Sequence, residues 1–422
     1  MNRTSLRLAA VVCGLAITTA ACGSNSTSTK ADSGSGSTPT TGATTGTTAS
    51  AALTGAEAAK SPASELRAGL TYLLTEHVYL AGLATGTAVA KKGNLKDPAV
   101  AGAVKALDAN SVALSKAVGS AYPAAEKPFL ASWRQHIGFF VNYTLGKATK
   151  NAAMTAKAVK DLDGYRTNFG QLINSVVPEL PAKAVADDLT PHVASLLAAI
   201  DAQVAGSPTA FAKLETAASH MPNTAKILAM GISTNKKLAG KADGDAATLR
   251  AGLTYLLTEH VYFAGIAINQ AVADKGNLKA PATAAAVAAL DANSVNLSKA
   301  VGSAYPAAEK PFLASWRQHI GFFVNYALGK ATMNAKMTAQ AVKDLDGYRT
   351  NFGQLINSVV PELPAMAVAD ELKPHVTSVF KAIDDVVAGS PTLFTDLSAA
   401  ASHMPGTAAI LAGGIATNKK LS

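Results

Sequence analysis

The sequence predicts an all-α fold in which one helical domain occurs twice. Three observations lead to this prediction: the chain is rich in alanine, its apolar residues recur at alternating spacings of three and four, and a long segment repeats at a fixed offset. No segment shows a convincing strand pattern. We therefore expect two tandem helical-bundle domains of about six helices each, after a disordered tether.

The repeat is a tandem duplication. The string LRAGLTYLLTEHVY begins at Leu66 and again at Leu249, and ASWRQHIGFFVNY carries Trp133 in one copy and Trp316 in the other, so both offsets are 183 residues (249 − 66 and 316 − 133). A period of that length is the size of a domain. We expect helical domains over residues 61–236 and 249–422, with a partly helical linker at 237–248. The copies are so alike that residues shared between them say little about function.

Proline, glycine and capping residues divide the first copy into six predicted helices. Pro191 is expected to interrupt or kink the fifth, and the sixth meets Pro222. Short connections imply antiparallel neighbours. The predicted helices are residues 62–90, 97–119, a start between 123 and 128 running to 146, 152–177, 182–204, and 208–228.

The first 21 residues have the pattern of a secretory signal peptide. Arg3 and Arg7 form a basic start, and an apolar run from Leu8 to about Ile17 follows, which is too short for a settled membrane span. Small residues then lead to Cys22.

Thr19-Ala20-Ala21-Cys22 resembles a bacterial lipobox, although Thr19 replaces the usual leucine-like residue. The resemblance implies that Cys22 carries lipid, becomes the first mature residue and anchors the protein to the outer face of the cell membrane. The alternative is ordinary signal-peptidase cleavage without lipid.

Residues 22–60 are expected to form the tether. They consist largely of Ser, Thr, Gly and Ala, with too few apolar side chains to fold. Cys13 leaves with the signal peptide, so the mature chain keeps one cysteine and forms no internal disulfide.

The charge of the chain argues against nucleic-acid binding. The formal net charge is +9, and removing Arg3 and Arg7 lowers it to +7 (35 basic minus 28 acidic residues). The basic residues are spread along the chain without a basic block or interleaved aromatics. Attraction to an anionic envelope surface is the expected consequence.

The histidines carry the functional hypothesis. In the first copy His77, His136 and His192 each fall within an apolar helical seam, and His220 precedes Met221-Pro222, where an interrupted backbone could turn it inward. A neutral imidazole is an adaptable ligand for transition metals, and facing helices are where bundles build such sites. The candidate metal ligands are His77, His136, His192 and His220, with His260, His319, His375 and His403 in the second copy.

This pattern predicts binding of copper, zinc or iron, or of a b-type haem held by two histidines, for storage, buffering or delivery. Covalent haem is excluded because the chain has no C-x-x-C-H, and the Glu-x-x-His signature of di-iron bundles is absent. Glu76 points about 100° away from His77 round the helix, which indicates a supporting or solvent role. Asn110 lies on an apolar seam and needs buried partners.

Other interpretations remain open. The histidines could be hydrogen-bonded core residues in a metal-free envelope adaptor that binds a partner protein, or the aromatic-lined core could carry a small apolar ligand. Met154 and Met221 are expected to be core filler rather than copper ligands. Phosphate-loop, G-x-S-x-G and H-E-x-x-H motifs are absent from the sequence, so we do not expect an enzyme.

Overall fold

The computed structural model describes residues 53–422, and the all-α class is confirmed, because these residues form helices and no strand. The predicted signal peptide, Cys22 and the predicted tether as far as residue 52 lie outside the described residues. Within residues 53–422, no helix combines the length and the apolar character needed to cross a membrane.

The first repeat follows the predicted helices closely, with one additional short helix before them and the sixth predicted helix divided in two. Its helices are α1 Gly55–Ala59, α2 Pro62–Ala90, α3 Pro98–Ala121, α4 Glu126–Ala148, α5 Ala152–Val176, α6 Ala182–Val204, α7 Ala210–Ala218 and α8 Met221–Lys236.

The second repeat has the same order of helices from α2 onward. They are α9 Asp245–Ala273, α10 Pro281–Ala304, α11 Glu309–Ala331, α12 Ala335–Val359, α13 Ala365–Ala388, α14 Leu393–Ala401 and α15 Met404–Lys419. In each repeat a single 3-10 turn precedes the third of the long helices, at Pro123–Ala125 and Pro306–Ala308.

Local sequence explains where the helices begin. The Ser61 side chain accepts the backbone N–H of Ser64, and Pro62 occupies the first helical position of α2. Pro191 was expected to interrupt or kink its helix, and the interruption is excluded because α6 continues through Pro191. Pro222 does mark a break, because it stands at the second position of a new helix, α8, which extends beyond the predicted end near residue 228 to Lys236.

The two repeats share one hydrophobic core. Helix α2 packs along α9, and α3 packs against α14 of the other repeat. Buried apolar residues form a continuous cluster through both repeats, and residues 53–422 belong to one compact unit. The repeats are therefore halves of one folded body. The sequence predicted two tandem domains, but the two repeats do not have separate cores.

The beginning of each repeat is also tied to the other repeat. The guanidinium of Arg67 donates to the carbonyl of Ala242 at 2.8 Å, and that of Arg250 donates to the carbonyl of Ala59 at 2.8 Å. The backbone N–H of Gly55 donates to the carbonyl of Leu421 at 2.7 Å, so α1 packs beside α15. The residues predicted as linker, 237–248, include the first turn of α9.

Candidate metal centre

Three helices of each repeat bring one histidine to the same internal cavity. In the first repeat α2, α4 and α6 supply these residues, and in the second α9, α11 and α13 do so. Each histidine lies within an apolar seam of its helix. That the three line one cavity agrees with the expectation that they fall at a similar depth along their helices. The histidines that line the cavities are His77, His136 and His192 in the first repeat and His260, His319 and His375 in the second.

Each cavity has a volume of about 60 Å³ and a largely apolar wall. In the first repeat the wall includes Leu74, Phe129, Phe169 and Met221, and no residue of the lining has a side chain that carries charge at neutral pH. The three imidazoles are its main polar groups, so they dominate its chemistry.

Two of the three histidines meet directly. The Nε2 atom of His136 lies 3.2 Å from the Nε2 atom of His77. The matching atoms of His319 and His260 lie 3.3 Å apart. The same pair is therefore formed twice in the chain, once in each repeat.

The other ring nitrogen of His77 has two neighbours that compete for it. The indole N–H of Trp133 points at Nδ1 of His77, 3.3 Å away. The side chain of Asn110 raises the pKa of His77, and its Oδ1 atom is buried with no hydrogen-bond partner. Proton on Nδ1 would satisfy Asn110, whereas proton on Nε2 would satisfy Trp133.

Aromatic rings hold the second histidine in place. The His136 ring stacks on Tyr165 with centroids 4.8 Å apart and packs edge-on against Trp133 at 4.6 Å. Its Nδ1 atom is buried without a side-chain partner, and the Trp133 backbone favours its protonation. These contacts aim Nε2 of His136 at His77.

Burial keeps the imidazoles neutral. Desolvation, with a smaller effect of neighbouring histidines, lowers the pKa of His77 to about 3 and that of His192 to about 4. Desolvation also holds the pKa of His136 well below its usual range. All three are free bases at neutral pH, which is the form that binds metal.

His192 lines the cavity beside the pair without joining it. Its Nδ1 atom faces the carbonyl of Ala217 at 3.5 Å, which turns this ring nitrogen toward α7. Within residues 53–422, no cluster of three or more His, Cys, Asp or Glu side chains has the geometry of a metal site. The pair is therefore the centre of the candidate site.

His220 and His403 are not brought into the cavities. Each immediately precedes a helix, α8 or α15, and is only partly buried. The prediction that the interrupted backbone turns them inward is corrected, because the proline at the second helical position starts a new helix and leaves the preceding residue near the surface. Met221, the next residue, is the one that turns inward.

Comparison with protein-family models, with curated proteins and with solved structures finds no match for this chain. The site is therefore interpreted from its own geometry.

Sequence reasoning missed the depth of a glutamate next to each histidine pair. Glu76 is only 3% exposed and accepts hydrogen bonds from Asn110, Tyr72, Tyr262 and Ser398. Tyr262 and Ser398 belong to the other repeat, so sequence spacing gives no sign of them. Tyr72, four residues before Glu76 on α2, was the one local signal. Asn110 thus donates to the carboxyl group of Glu76 and also raises the pKa of His77.

Proposed function

We propose that each repeat binds one transition-metal ion between the Nε2 atoms of its histidine pair, for storage, buffering or delivery of the metal. The pairs are His77 with His136 and His260 with His319. The observation that carries the proposal is the close approach of two neutral imidazole nitrogens inside an apolar cavity, repeated in both halves of the chain.

The separation of the two nitrogens suits a shared ion. Metal–nitrogen bonds of about 2.0–2.1 Å in a tetrahedral site place two ligand nitrogens about 3.3 Å apart. The distances in the two repeats are 3.2 and 3.3 Å. Binding would therefore need rotation of the rings about a nearly fixed separation rather than repacking of the helices.

One of the two proton placements open to His77 fits the metal-bound arrangement. When Nδ1 of His77 donates to Oδ1 of Asn110, that buried oxygen gains its missing partner and Nε2 is left with a lone pair. Nε2 of His136 likewise carries a lone pair when its proton is on Nδ1. Two lone pairs at this distance repel each other unless a cation lies between them. Without metal, a proton on Nε2 of His77 would instead bridge the pair.

The carboxyl group of Glu76 is connected to the surroundings of the histidine pair through Asn110. Four donors surround it, so its buried oxygens have hydrogen-bond partners. Through Asn110 it orients His77, which resembles the carboxylate-supported histidines common at metal sites.

A bare ion fits the cavity better than haem. A volume of about 60 Å³ holds an ion and a few small ligands. Pockets for drug-sized or cofactor-sized molecules start at about 300 Å³. Among the metals, the thioether of Met221 in the same wall favours copper in its lower oxidation state, and His192 in that wall offers a further nitrogen ligand.

Metal analysis of the purified mature chain tests this proposal. We expect about two equivalents of copper or zinc per chain after exposure to the metal and removal of excess. His77→Ala with His136→Ala should remove one equivalent, and His260→Ala with His319→Ala the other. The matched control, His220→Ala with His403→Ala, should keep both.

A protein that takes up no metal, or a control that loses as much metal as the pair variants, would overturn the proposal. The first outcome would leave the pairs as hydrogen-bonded core residues and favour the metal-free envelope adaptor. Far-UV circular dichroism establishes that each variant is folded before its metal content is compared.

We also propose that the protein is held at the outer face of the cell membrane by lipid on Cys22. The support for this is the lipobox-like sequence ending at Cys22 and the polar residues after it. Detergent-phase partitioning of the expressed protein should place it in the detergent phase, and Cys22→Ser should move it to the aqueous phase. Aqueous partitioning of the parent would contradict lipidation.

A further inference from the structure

The second repeat contains another cavity, which adjoins its histidine cavity. Its volume is about 130 Å³, roughly twice that of each histidine cavity, and it lies among α9, α10, α11 and α13. Apart from Gly265 and two histidines, its wall is made of apolar side chains such as Ile268, Ile320 and Val379.

This cavity runs from the surface to the histidine pair. Leu278 and Val287 line it and are themselves 45% and 41% exposed, so they mark its outer end. His260, Phe323 and His375 line both this cavity and the histidine cavity of the second repeat, so they mark its inner end. A molecule inside it would lie against the imidazole of His260.

The first repeat carries larger or more polar side chains at the matching positions. Val379 corresponds to Leu196, Ile268 to Thr85 and Ala327 to Thr144, each at the offset of 183. Two of these changes, at Val379 and Ala327, remove side-chain volume in the second repeat, and two, at Ile268 and Ala327, remove a hydroxyl group.

In the first repeat, side-chain hydrogen bonds span the matching part of α2. The hydroxyl of Thr85 bonds to the side chain of Gln203 at 2.9 Å, and Nε2 of Gln203 donates to the carbonyl of Gly82 at 2.8 Å. The counterpart of Gln203 is Val386, which has no polar atom in its side chain. The polar bridge over this part of the helix is thus specific to the first repeat.

We infer that the cavity of the second repeat is a binding site for one small, uncharged, apolar molecule of about the size of benzene. A dry cavity of about 150 Å³ lined by Leu, Ile and Phe is known to take up benzene, and the volume here is close to that value. A charged or strongly polar ligand would lose its hydration without gaining partners, because the wall offers only the two imidazoles. This inference stands apart from the metal proposal.

Thermal unfolding of the purified mature chain, with benzene as the probe, tests the inference. A ligand that binds only the folded state raises the Tm with its concentration. We expect benzene to raise the Tm of the parent protein, and calorimetric titration to give one site per chain.

Two variants place residues of the first repeat in the cavity. Val379→Leu and Ala327→Thr should each abolish or strongly reduce the benzene response, and the second is a side chain that the first repeat already accommodates as Thr144, whose hydroxyl bonds to the carbonyl of Phe140. Leu196→Val, the reverse change in the first repeat, is the matched control and should keep the response. Near-UV circular dichroism confirms that each variant is folded.

No rise in Tm with benzene for the parent protein would overturn the inference. An unchanged response in folded Val379→Leu and Ala327→Thr would do the same, because the binding would then lie elsewhere. Loss of the response in Leu196→Val would also contradict the assignment to the second repeat.

Discussion

The ring of Tyr79 in α2 stacks on the ring of Tyr262 in α9, with centroids 5.3 Å apart and planes within 6° of parallel. Each tyrosine hydroxyl donates a hydrogen bond to a glutamate of the other repeat: Tyr79 donates to Glu259 at 2.8 Å, and Tyr262 donates to Glu76 at 3.0 Å. Each repeat therefore supplies a hydrogen-bond donor to the buried carboxyl group of the other. The crossed bonds relate the two halves as equivalent partners.

Tyr79→Phe should lower the free energy of unfolding by about 1–3 kcal/mol, because a buried carboxyl group loses one of its donors. Glu259 would keep Tyr255 and Asn293. Chemical denaturation measures the change, and Tyr122→Phe, whose hydroxyl bonds to Asn235 nearer the surface, is the control with a smaller expected loss. Equal losses in the two variants would contradict a special role for the crossed bonds.

One position breaks the equivalence of the halves. Ser398 donates its hydroxyl to Glu76 at 2.6 Å, whereas the matching residue of the first repeat is Glu215. Burial, with a smaller effect of Glu259, raises the pKa of Glu215 to about 7. The carboxyl group of Glu215 therefore lies near that of Glu259, and their repulsion is unfavourable when both are ionised.

Glu215→Ser should stabilise the protein, and more so at higher pH. The folded pKa of Glu215 lies above its value of about 4.3 in an unfolded chain, so the parent binds a proton on folding and loses stability as pH rises from about 4 to 7. The variant lacks this loss. Its gain in Tm over the parent should grow from pH 5 to pH 8, and a constant difference across that range would contradict the assignment.

Much of the fold could be predicted because it depends on local sequence. Ser61 followed by Pro62 indicated the start of α2, and the apolar seam through His77 indicated the buried face of that helix. The same seams brought His77 and His136 to one depth. Helix α1 was missed because it lies in a stretch whose Ser, Thr and Ala content indicates a tether.

The pairing of the repeats could not be predicted, for a physical reason. Tyr79 and Glu259 are 180 residues apart, and helix periodicity reports only which face is apolar, not which helix will cover it. Glu76 therefore looked like a residue directed away from the core, although α9 and α14 bury it. His220 was misplaced because the proline signal fixes a helix start without fixing the side-chain direction.

Gly102→Ala tests the close packing of the repeats. A Cβ atom at Gly102 in α3 would lie 2.1 Å from the carbonyl oxygen of Pro391, which is backbone and cannot move aside cheaply. We expect a loss of about 1–3 kcal/mol in the free energy of unfolding, as for overpacked sites. Gly138→Ala, with no atom within 4 Å of the added methyl, should instead gain about 0.5–1 kcal/mol as a helical Gly→Ala change. A stabilised Gly102→Ala would mean that the repeats are less closely packed there.

The metal-free protein should lose stability in acid through its buried histidines. Because the folded pKa of His77 is lowered to about 3 while the unfolded value is about 6.5, the unfolded chain binds more protons between these limits. The stabilisation is complete above pH 6.5 and falls as pH decreases toward 3, at up to about 1.4 kcal/mol per pH unit for each such histidine. His77→Gln should flatten this slope in denaturation curves recorded from pH 7 to pH 4, and His260→Gln should reproduce the effect because its pKa is also lowered to about 3. Variants that keep the parent's slope would show that the folded pKa of these imidazoles is close to the unfolded value, and would contradict this prediction.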